Sequence, residues 1–384
     1  MKRTSFLGEK NTVKDVPSVL NIFFPGKCNL QCAYCFVHKD SKNFIDIDEK
    51  AIKKVIDIFL NYPSRKKVLS FNGGEPLLEW ELLKRLCEYS KMGAMKRSVF
   101  LDIVIVTNGT LLSKKNVDFF KKNNISVRIS IDGNKQTHDS VRPFKGKNRK
   151  SSFDSIMKNI KAIEPGSLRL SASLVFSPLN IDGLLDNIIF LQQKKFEYID
   201  FYPEIYAIWG REDIKKLKEQ AKKIEKYYVD IFKKKGFGLF RTSMLDMILN
   251  GSDVGKRALC GKIQADSLGN FFACDKVFSL AKEKRTEYSV GNAQAGIDED
   301  RRESMLNFFR REFSRETKLG CQSCPFEKYC ACPIGQYLYI QEKRLNNSLF
   351  WESFCKVSKI LINMNLNIVK KLEYDDLFVK INRF

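Results

Sequence analysis

Six short apolar runs alternate with longer amphipathic stretches between residues 19 and 235. Each run is rich in Val, Ile, Leu and Phe, which is typical of a strand covered on both faces. In the stretches between the runs, apolar residues recur at steps of three and four, which predicts helices. The predicted strands are Val19–Phe24, Lys67–Phe71, Phe100–Thr107, Ile125–Ile131, Leu168–Phe176 and Tyr198–Tyr202, and the predicted helices cover residues 48–61, 79–92, 114–123, 153–164, 181–195 and 211–235.

The repeated strand–helix units predict an α/β fold, with a parallel sheet and right-handed crossovers. Six units fit a partial, open parallel β/α barrel better than a closed barrel of eight units. We expect this barrel to occupy residues 17–240. The alternation then stops, and we expect a small cysteine-rich domain over residues 255–356 and a helical tail over residues 357–384.

Composition narrows the class of protein. The chain carries a net charge of +22, with 11 cysteines and only 2 histidines. The positive charge has two interpretations, lysines on solvated helix faces or a dedicated basic site for a partner such as nucleic acid. Neither a membrane-spanning apolar run nor an apolar signal core is found, which predicts a cytoplasmic protein that does not bind membranes.

The cysteines are clustered at residues 28–35, 260–274 and 321–355. In a cytoplasmic chain, such clustering indicates metal or cluster binding rather than disulfides. Cys28, Cys32 and Cys35 offer three thiolates within eight residues, which can bind three irons of one cubane and leave the fourth iron open. Zinc is the alternative, but a structural zinc site would need a fourth ligand nearby.

Polar motifs follow the predicted strands at their carboxyl ends, where parallel sheets bind ligands. The glycines of the motif after the second strand let a ligand approach the backbone, and its glutamate can accept from an ammonium group. The alternative is that these residues only form turns and caps. The residues concerned are Gly73, Gly74, Glu75 and Pro76 after the second strand, Asn108 after the third, and Ser130 and Asp132 after the fourth.

The Cys-x3-Cys-x2-Cys spacing, with Tyr34 before the third cysteine, resembles the signature of radical S-adenosylmethionine enzymes over about residues 17–205. The resemblance implies a 4Fe–4S cluster that binds S-adenosylmethionine. It also implies a reductant such as flavodoxin or ferredoxin, whose electron releases a 5′-deoxyadenosyl radical. The cofactor contacts that it implies are Tyr34, Gly73, Gly74, Glu75, Asn108, Ser130, Asp132 and Arg142.

The C-terminal cysteines resemble the SPASM extension of radical enzymes that modify peptides and proteins, which implies two auxiliary 4Fe–4S clusters. The one-residue spacer between Cys330 and Cys332 departs from the three residues of that family. A zinc ribbon is the alternative. The implied ligands are Cys321, Cys324, Cys330 and Cys355 for the outer cluster, and Cys260, Cys274 and Cys332 for the inner one. The inner cluster then lacks a fourth thiolate, and Asp266, Asp275 or a substrate thiolate could fill that position.

Asp275 stands where anaerobic sulfatase-maturating enzymes, a SPASM family, have an aspartate that is thought to deprotonate the target side chain. An exposed turn aspartate is the alternative. The leading hypothesis is a radical maturase that modifies a peptide or protein, for example by thioether or carbon–carbon bond formation. Formylglycine formation on a sulfatase is the second hypothesis, and modification of RNA, motivated by the charge, is the third. The cofactor-like loops argue against a simple electron carrier.

Overall fold

A computed structural model describes residues 17–24, 27–37, 47–146, 150–164, 168–194, 196, 198–204, 206–235, 243–249, 262–305, 307–308, 320–330 and 348–372. Its strands are β1 (Val19–Phe24), β2 (Lys66–Gly73), β3 (Phe100–Thr107), β4 (Ser126–Ser130), β5 (Leu170–Phe176), β6 (Tyr198–Pro203), β7 (Lys262–Ala265), β8 (Asn270–Phe272), β9 (Ser289–Asn292) and β10 (Gly296–Ile297). Its helices are α1 (Glu49–Leu60), α2 (Trp80–Lys96), α3 (Lys114–Lys122), α4 (Lys135–Val141), α5 (Ser152–Lys161), α6 (Leu184–Gln192), α7 (Arg211–Lys235), α8 (Ser243–Leu249), α9 (Lys282–Arg285) and α10 (Ser348–Lys371).

The strands form one sheet in the order β10-β9-β8-β7-β1-β2-β3-β4-β5-β6. Strands β1 to β6 are parallel and neighbour one another in chain order, as repeated strand–helix units require. The predicted α/β fold with a partial parallel barrel is therefore confirmed. The barrel is open in the described residues, because the free side of β1 pairs with β7 rather than with β6.

The two faces of the sheet differ in burial. In β5, Leu170, Ala172 and Leu174 are buried in the core that the helices share, whereas the intervening Ser171 and Ser173 are half-buried. The same alternation occurs in β4. We call the half-buried, helix-free side the inner face of the sheet. Because side chains alternate across a strand, the inner face carries the polar residues of the barrel interior.

The region after residue 240 contains regular structure that its sequence pattern does not predict. Strand β7 adds in parallel to β1, and β8 to β10 continue the sheet in antiparallel order. These strands have two to four residues each, too few to show an apolar period. The predicted C-terminal helix is present as α10, which crosses residue 356, so the division into domains stays a prediction.

Helix α7 has the apolar stripe that its sequence predicts. Leu217, Ala221 and Ile224 are buried in the core, while the lysines lie on its outer faces. Glu225 on α7 accepts hydrogen bonds from Asn367 Nδ2 at 3.0 Å and from Lys371 Nζ at 2.7 Å, which fixes α10 against α7. Among the described residues, no helix is long and apolar enough to cross a membrane.

Candidate active site

The loop that carries the first three cysteines is held by the segment after α4. Gln31 N donates to Pro143 O at 2.8 Å and Ala33 N to Val141 O at 2.8 Å. In return, Lys145 N donates to Asn29 O at 2.9 Å. Helix α4 is absent from the predicted helices, because its sequence KQTHDSV has no apolar period. This short polar helix therefore positions the cysteine loop.

The structure brings the thiols of the loop together. Burial raises the pKa of Cys28, and the negative charge of Cys35 raises it further. Burial raises the pKa of Cys32 to about 11, although the guanidinium of Arg142 lowers it and both neighbouring thiols act on it. Such thiols ionise when they bind a strong Lewis acid. Three thiols close enough to shift one another's ionisation, in one short loop, fit the donor set of an iron–sulfur cluster.

No three Cys, His, Asp or Glu side chains in the described ranges converge on one point as ligands of a single metal ion would. The ligands of a four-iron cluster bind different irons and stand farther apart.

Gly73 lies where strands β1 and β2 end together. Its φ is +114°, and a Cβ at this position would lie 2.3 Å from the carbonyl oxygen of Phe24. Only glycine accepts both this conformation and this contact. Gly73 therefore lets β1 and β2 end in close contact, and with Gly74 it begins the loop that leads to Glu75. Access of a ligand to this backbone and contact with the cofactor stay predictions for both glycines.

The carboxylate of Glu75 joins the loop after β2 to the loop after β3. It is 1% exposed, and Oε1 accepts from Leu77 N at 3.0 Å and from Thr107 Oγ1 at 2.7 Å. Oε2 accepts from Asn108 N at 2.7 Å. Burial raises the pKa of Glu75, and these three donors oppose the rise. The predicted role as acceptor for a ligand ammonium group is untested, and the observed role is to fix the loops after β2 and β3.

Asn108 connects the loop after β3 with the first cysteine. Its Nδ2 donates to Asn29 Oδ1 at 2.8 Å and lies 3.8 Å from Cys28 Sγ. Asn29 Nδ2 in turn donates to Thr110 Oγ1 at 2.8 Å. These bonds join residues that are far apart in sequence, so Asn108 does more than cap its own turn. They hold Cys28 against β3.

Asp132 is the centre of a buried polar group. Its carboxylate accepts from Arg142 Nε at 2.7 Å, Arg142 Nη2 at 3.2 Å, Val175 N at 2.9 Å and the hydroxyl of Tyr34. Arg142 also places Nη1 3.9 Å from Cys32 Sγ and its Cζ 5.1 Å from the centre of the Tyr34 ring. The structure therefore joins Tyr34, Asp132 and Arg142 in contact with the cysteine loop, with Ser130 two residues before Asp132 at the end of β4. Their cofactor contacts stay predictions.

His138 supports this group from α4. Its Nδ1 accepts from Asp132 N at 3.3 Å, and its Nε2 is buried without a hydrogen-bond partner in the part of the chain that the structure describes. Burial lowers the pKa of His138 to about 4. No motif predicts a role for His138, because it lies in a short polar helix without an apolar period.

We expect His138 to make stability depend on pH. The unfolded chain binds a proton near pH 6.5, whereas the folded chain accepts it only near pH 4. Stability is therefore fully present above pH 6.5 and falls below it, by about 2 kcal/mol at pH 5. His138→Asn keeps an acceptor for Asp132 N without titrating, so urea unfolding of the variant should lose less stability between pH 7 and pH 5. Equal losses in both proteins would contradict this assignment.

Asp275 lies in the turn after β8, against the cysteine loop. Its Oδ2 is 3.0 Å from Lys276 Nζ, and that Nζ lies 4.4 Å from the centre of the Phe36 ring, next in sequence to Cys35. Burial alone would raise the pKa of Asp275, but Lys276 and Lys262 hold it below its usual range. The carboxylate is thus ionised at neutral pH. It is paired rather than freely exposed, and its role as a base stays a prediction.

The described C-terminal cysteines gather in one place. Burial raises the pKa of Cys321, and the nearby thiols of Cys355 and Cys324 raise it further. Cys330 follows in the same short segment. Cys260 and Cys332 lie outside the described residues, so of the predicted inner set the structure describes only Cys274, whose Sγ is 3.7 Å from Asp275 Oδ1. Cys87 lies outside these clusters and is completely buried in the core.

Known proteins resemble this chain over most of its length. The serine-type anaerobic sulfatase-maturating enzyme of Bacteroides thetaiotaomicron is 31% identical over 348 residues, which cover 81% of each chain. The radical SAM cyclopropyl synthase TigE of Paramaledivibacter caminithermalis is 25% identical and covers 93% of this chain and 75% of its own. The structure of native anSMEcpe with bound AdoMet is 19% identical with a TM-score of 0.71, and the match covers 92% of this chain and 100% of that one. At this identity the structure shows the shared fold.

A family model described as the radical SAM superfamily matches residues 22–182. The matched range contains the cysteine loop, the Gly73–Glu75 loop and the buried group around Asp132, so the sequence match and the geometry concern the same part of the molecule. This superfamily binds S-adenosylmethionine and a 4Fe–4S cluster, which the three thiols of the cysteine loop fit. The chain belongs to the radical S-adenosylmethionine superfamily of enzymes.

Proposed function

We propose that this enzyme oxidises a serine or cysteine side chain of a peptide or protein to formylglycine, with Asp275 as the base. The carrying observation is the ionised carboxylate of Asp275, which Lys276 holds against Phe36 beside the cysteine loop. The 31% identity to a serine-type anaerobic sulfatase-maturating enzyme supports the same substrate class.

The proposed oxidation removes two hydrogens from the side chain. When bound, S-adenosylmethionine and the reduced cluster supply the radical that takes a hydrogen atom from the substrate Cβ. Asp275 takes the proton from the hydroxyl or thiol, since an ionised carboxylate within reach can act as general base. One electron remains to leave the substrate, and the C-terminal cysteines offer ligands for an iron–sulfur acceptor. Carbonyl formation then completes the reaction for serine, and the cysteine product is hydrolysed with release of sulfide.

The chain's own residues keep the site in place for this chemistry. Glu75 fixes the loops after β2 and β3, and Asp132 orients Tyr34 and Arg142 beside Cys32. These side chains are buried and bonded, so they are preorganised and do not have to reorganise during the reaction.

The sequence favours thioether or carbon–carbon bond formation, because the inner cluster has only three cysteine ligands and a substrate thiolate could be the fourth. That interpretation depends on Cys260 and Cys332. Both residues lie outside the described part of the chain. The described contacts of Asp275 support formylglycine formation instead.

We expect Asp275→Asn to lower formylglycine formation by about 10²- to 10⁴-fold, the usual contribution of a general base. Reductive cleavage of S-adenosylmethionine should continue, because Asp275 has no contact with the groups around Cys32. The assay uses short peptides with one central serine or cysteine and detects the aldehyde by mass spectrometry. Glu283→Gln, an exposed carboxylate in the same segment, is the matched control. Unchanged aldehyde formation in Asp275→Asn would refute the assignment of the base.

A further inference from the structure

On the inner face of the sheet, the positions that carry polar residues are only half-buried. A barrel interior filled by its own side chains would bury these positions. Here they are half-buried, although their neighbours on the helix side are buried. The polar residues of this face therefore keep part of their surface free of the protein's own packing. The residues on it are Ser126, Arg128 and Ser130 of β4 and Ser171, Ser173 and Val175 of β5.

Arg128 places a positive charge on the inner face. Its Nε is buried, and none of the described residues forms a hydrogen bond with it. Its Cζ lies 5.9 Å from the centre of the Tyr198 ring, which holds the guanidinium in position. Arg142 in the same barrel is neutralised by Asp132, whereas no carboxylate of the described residues forms an ion pair with Arg128. The cation is fixed in place but not neutralised.

The surroundings of Arg128 do not supply the missing charge. The strand register places Val106 of β3 and Ser171 of β5 beside it, and neither is charged. Asp200, further along β6, accepts from the hydroxyl of Tyr202. An arginine that keeps free donors in a partly desolvated barrel interior gains free energy when an anion binds.

We infer that Arg128 binds a carboxylate of the substrate inside the barrel. The guanidinium fork matches a carboxylate in shape and charge. The inference rests on the proposed function, because it names a property of the peptide substrate: an acidic side chain or a terminal carboxylate that enters the barrel ahead of the reacting residue.

The methionyl carboxylate of the cofactor is the other source of such an anion. Arg128 precedes Ser130 by two residues and Asp132 by four, which is about 7 and 13 Å deeper in the barrel at the rise of a strand. Of the residues implied for cofactor contacts, Ser130 ends β4 and Arg142 lies beside Cys32. The depth of Arg128 therefore favours the substrate.

The test measures binding without turnover. The probes are N-acetylaspartate α-methylamide and the matching asparagine compound, titrated by NMR into the reconstituted enzyme with S-adenosylmethionine. We expect the aspartate probe to bind about tenfold more tightly, a difference of about 1.4 kcal/mol. Arg128→Gln should remove the preference and Arg128→Lys should keep part of it. Arg169→Gln is the control, since Arg169 lies at the outer end of the neighbouring strand and pairs with Asp102.

Equal binding of the two probes to the wild type, or a preference that survives Arg128→Gln, would overturn the inference. So would a tenfold weaker binding of S-adenosylmethionine in Arg128→Gln, because the carboxylate would then be the cofactor's. Thermal unfolding separates recognition from structure: loss of an unpaired cation should not lower Tm, and a clear drop would show a structural role instead. Failure of peptide oxidation would sink the proposed function but leave the probe preference standing.

Discussion

Replacement of Cys28, Cys32 and Cys35 together by alanine is expected to abolish the reductive cleavage of S-adenosylmethionine. The three thiols lie in one short loop that Val141 and Pro143 hold in place, and the described residues around them offer no other set of cysteines. The variant should lose about four irons per chain and keep those bound by the C-terminal cysteines. Iron content and 5′-deoxyadenosine are the quantities to measure.

Cys87→Ala is the matched control for this variant. Cys87 is a cysteine of the same domain, but it is completely buried among apolar side chains. It should change neither iron content nor cleavage. Cleavage that persists in the triple variant, or iron lost from Cys87→Ala, would contradict the assignment of the first cluster.

Asp132→Ala is expected to destabilise the fold by roughly 3–5 kcal/mol, the range for breaking a buried ion pair from one side. The change leaves the guanidinium of Arg142 buried without its carboxylate and removes the acceptor for Tyr34 and for Val175 N. Because Arg142 and Tyr34 both touch the cysteine loop, cluster binding should weaken as well. Urea unfolding of the metal-free protein measures the first effect, and reconstituted iron the second.

Asp154→Asn provides the comparison for this variant. Asp154 also pairs with a cation, Lys135, but both side chains are more than half exposed. Such a pair contributes at most about 1 kcal/mol. If Asp132→Ala and Asp154→Asn lowered the free energy of unfolding by similar amounts, the buried group around Asp132 would not be what stabilises the site.

The sequence predicts the barrel well because its strands are long and are rich in apolar residues on the face that the helices cover. The bounds of β1 and β3 agree with the prediction to the residue, and the others differ by one or two residues at an end. The prediction fails for α4 and for β7 to β10. A helix of seven polar residues and strands of two to four residues show no period, and only tertiary pairing stabilises them.

The residues of the candidate site also divide into those that the sequence predicts and those that only the structure reveals. Motif spacing points to Cys28, Glu75 and Asp132, because each follows the end of a parallel strand. Spacing does not reveal that the carboxylate of Glu75 accepts hydrogen bonds from the protein itself. Nor does it reveal that His138 accepts a hydrogen bond from Asp132 N. These contacts link residues that are far apart in sequence or lie in a helix without a pattern, so only the folded chain shows them.

The lysine beside Asp275 was also missed as part of the site. An aspartate followed by a lysine is common on surfaces, and the sequence cannot show that Lys276 lies over Phe36. This contact brings the turn after β8 to the cysteine loop and gives Asp275 its proposed role. This cation–aromatic contact adds to the pairing of β1 with β7, which also joins the barrel to the segment that carries Cys274.

One measurement tests the central claim most directly. The anaerobically reconstituted wild-type enzyme is mixed with S-adenosylmethionine and a one-electron reductant, and the products are separated by chromatography. The account predicts 5′-deoxyadenosine and methionine in equal amounts, with none formed when the reductant is omitted. An enzyme that binds its full complement of iron and still yields no 5′-deoxyadenosine would contradict it.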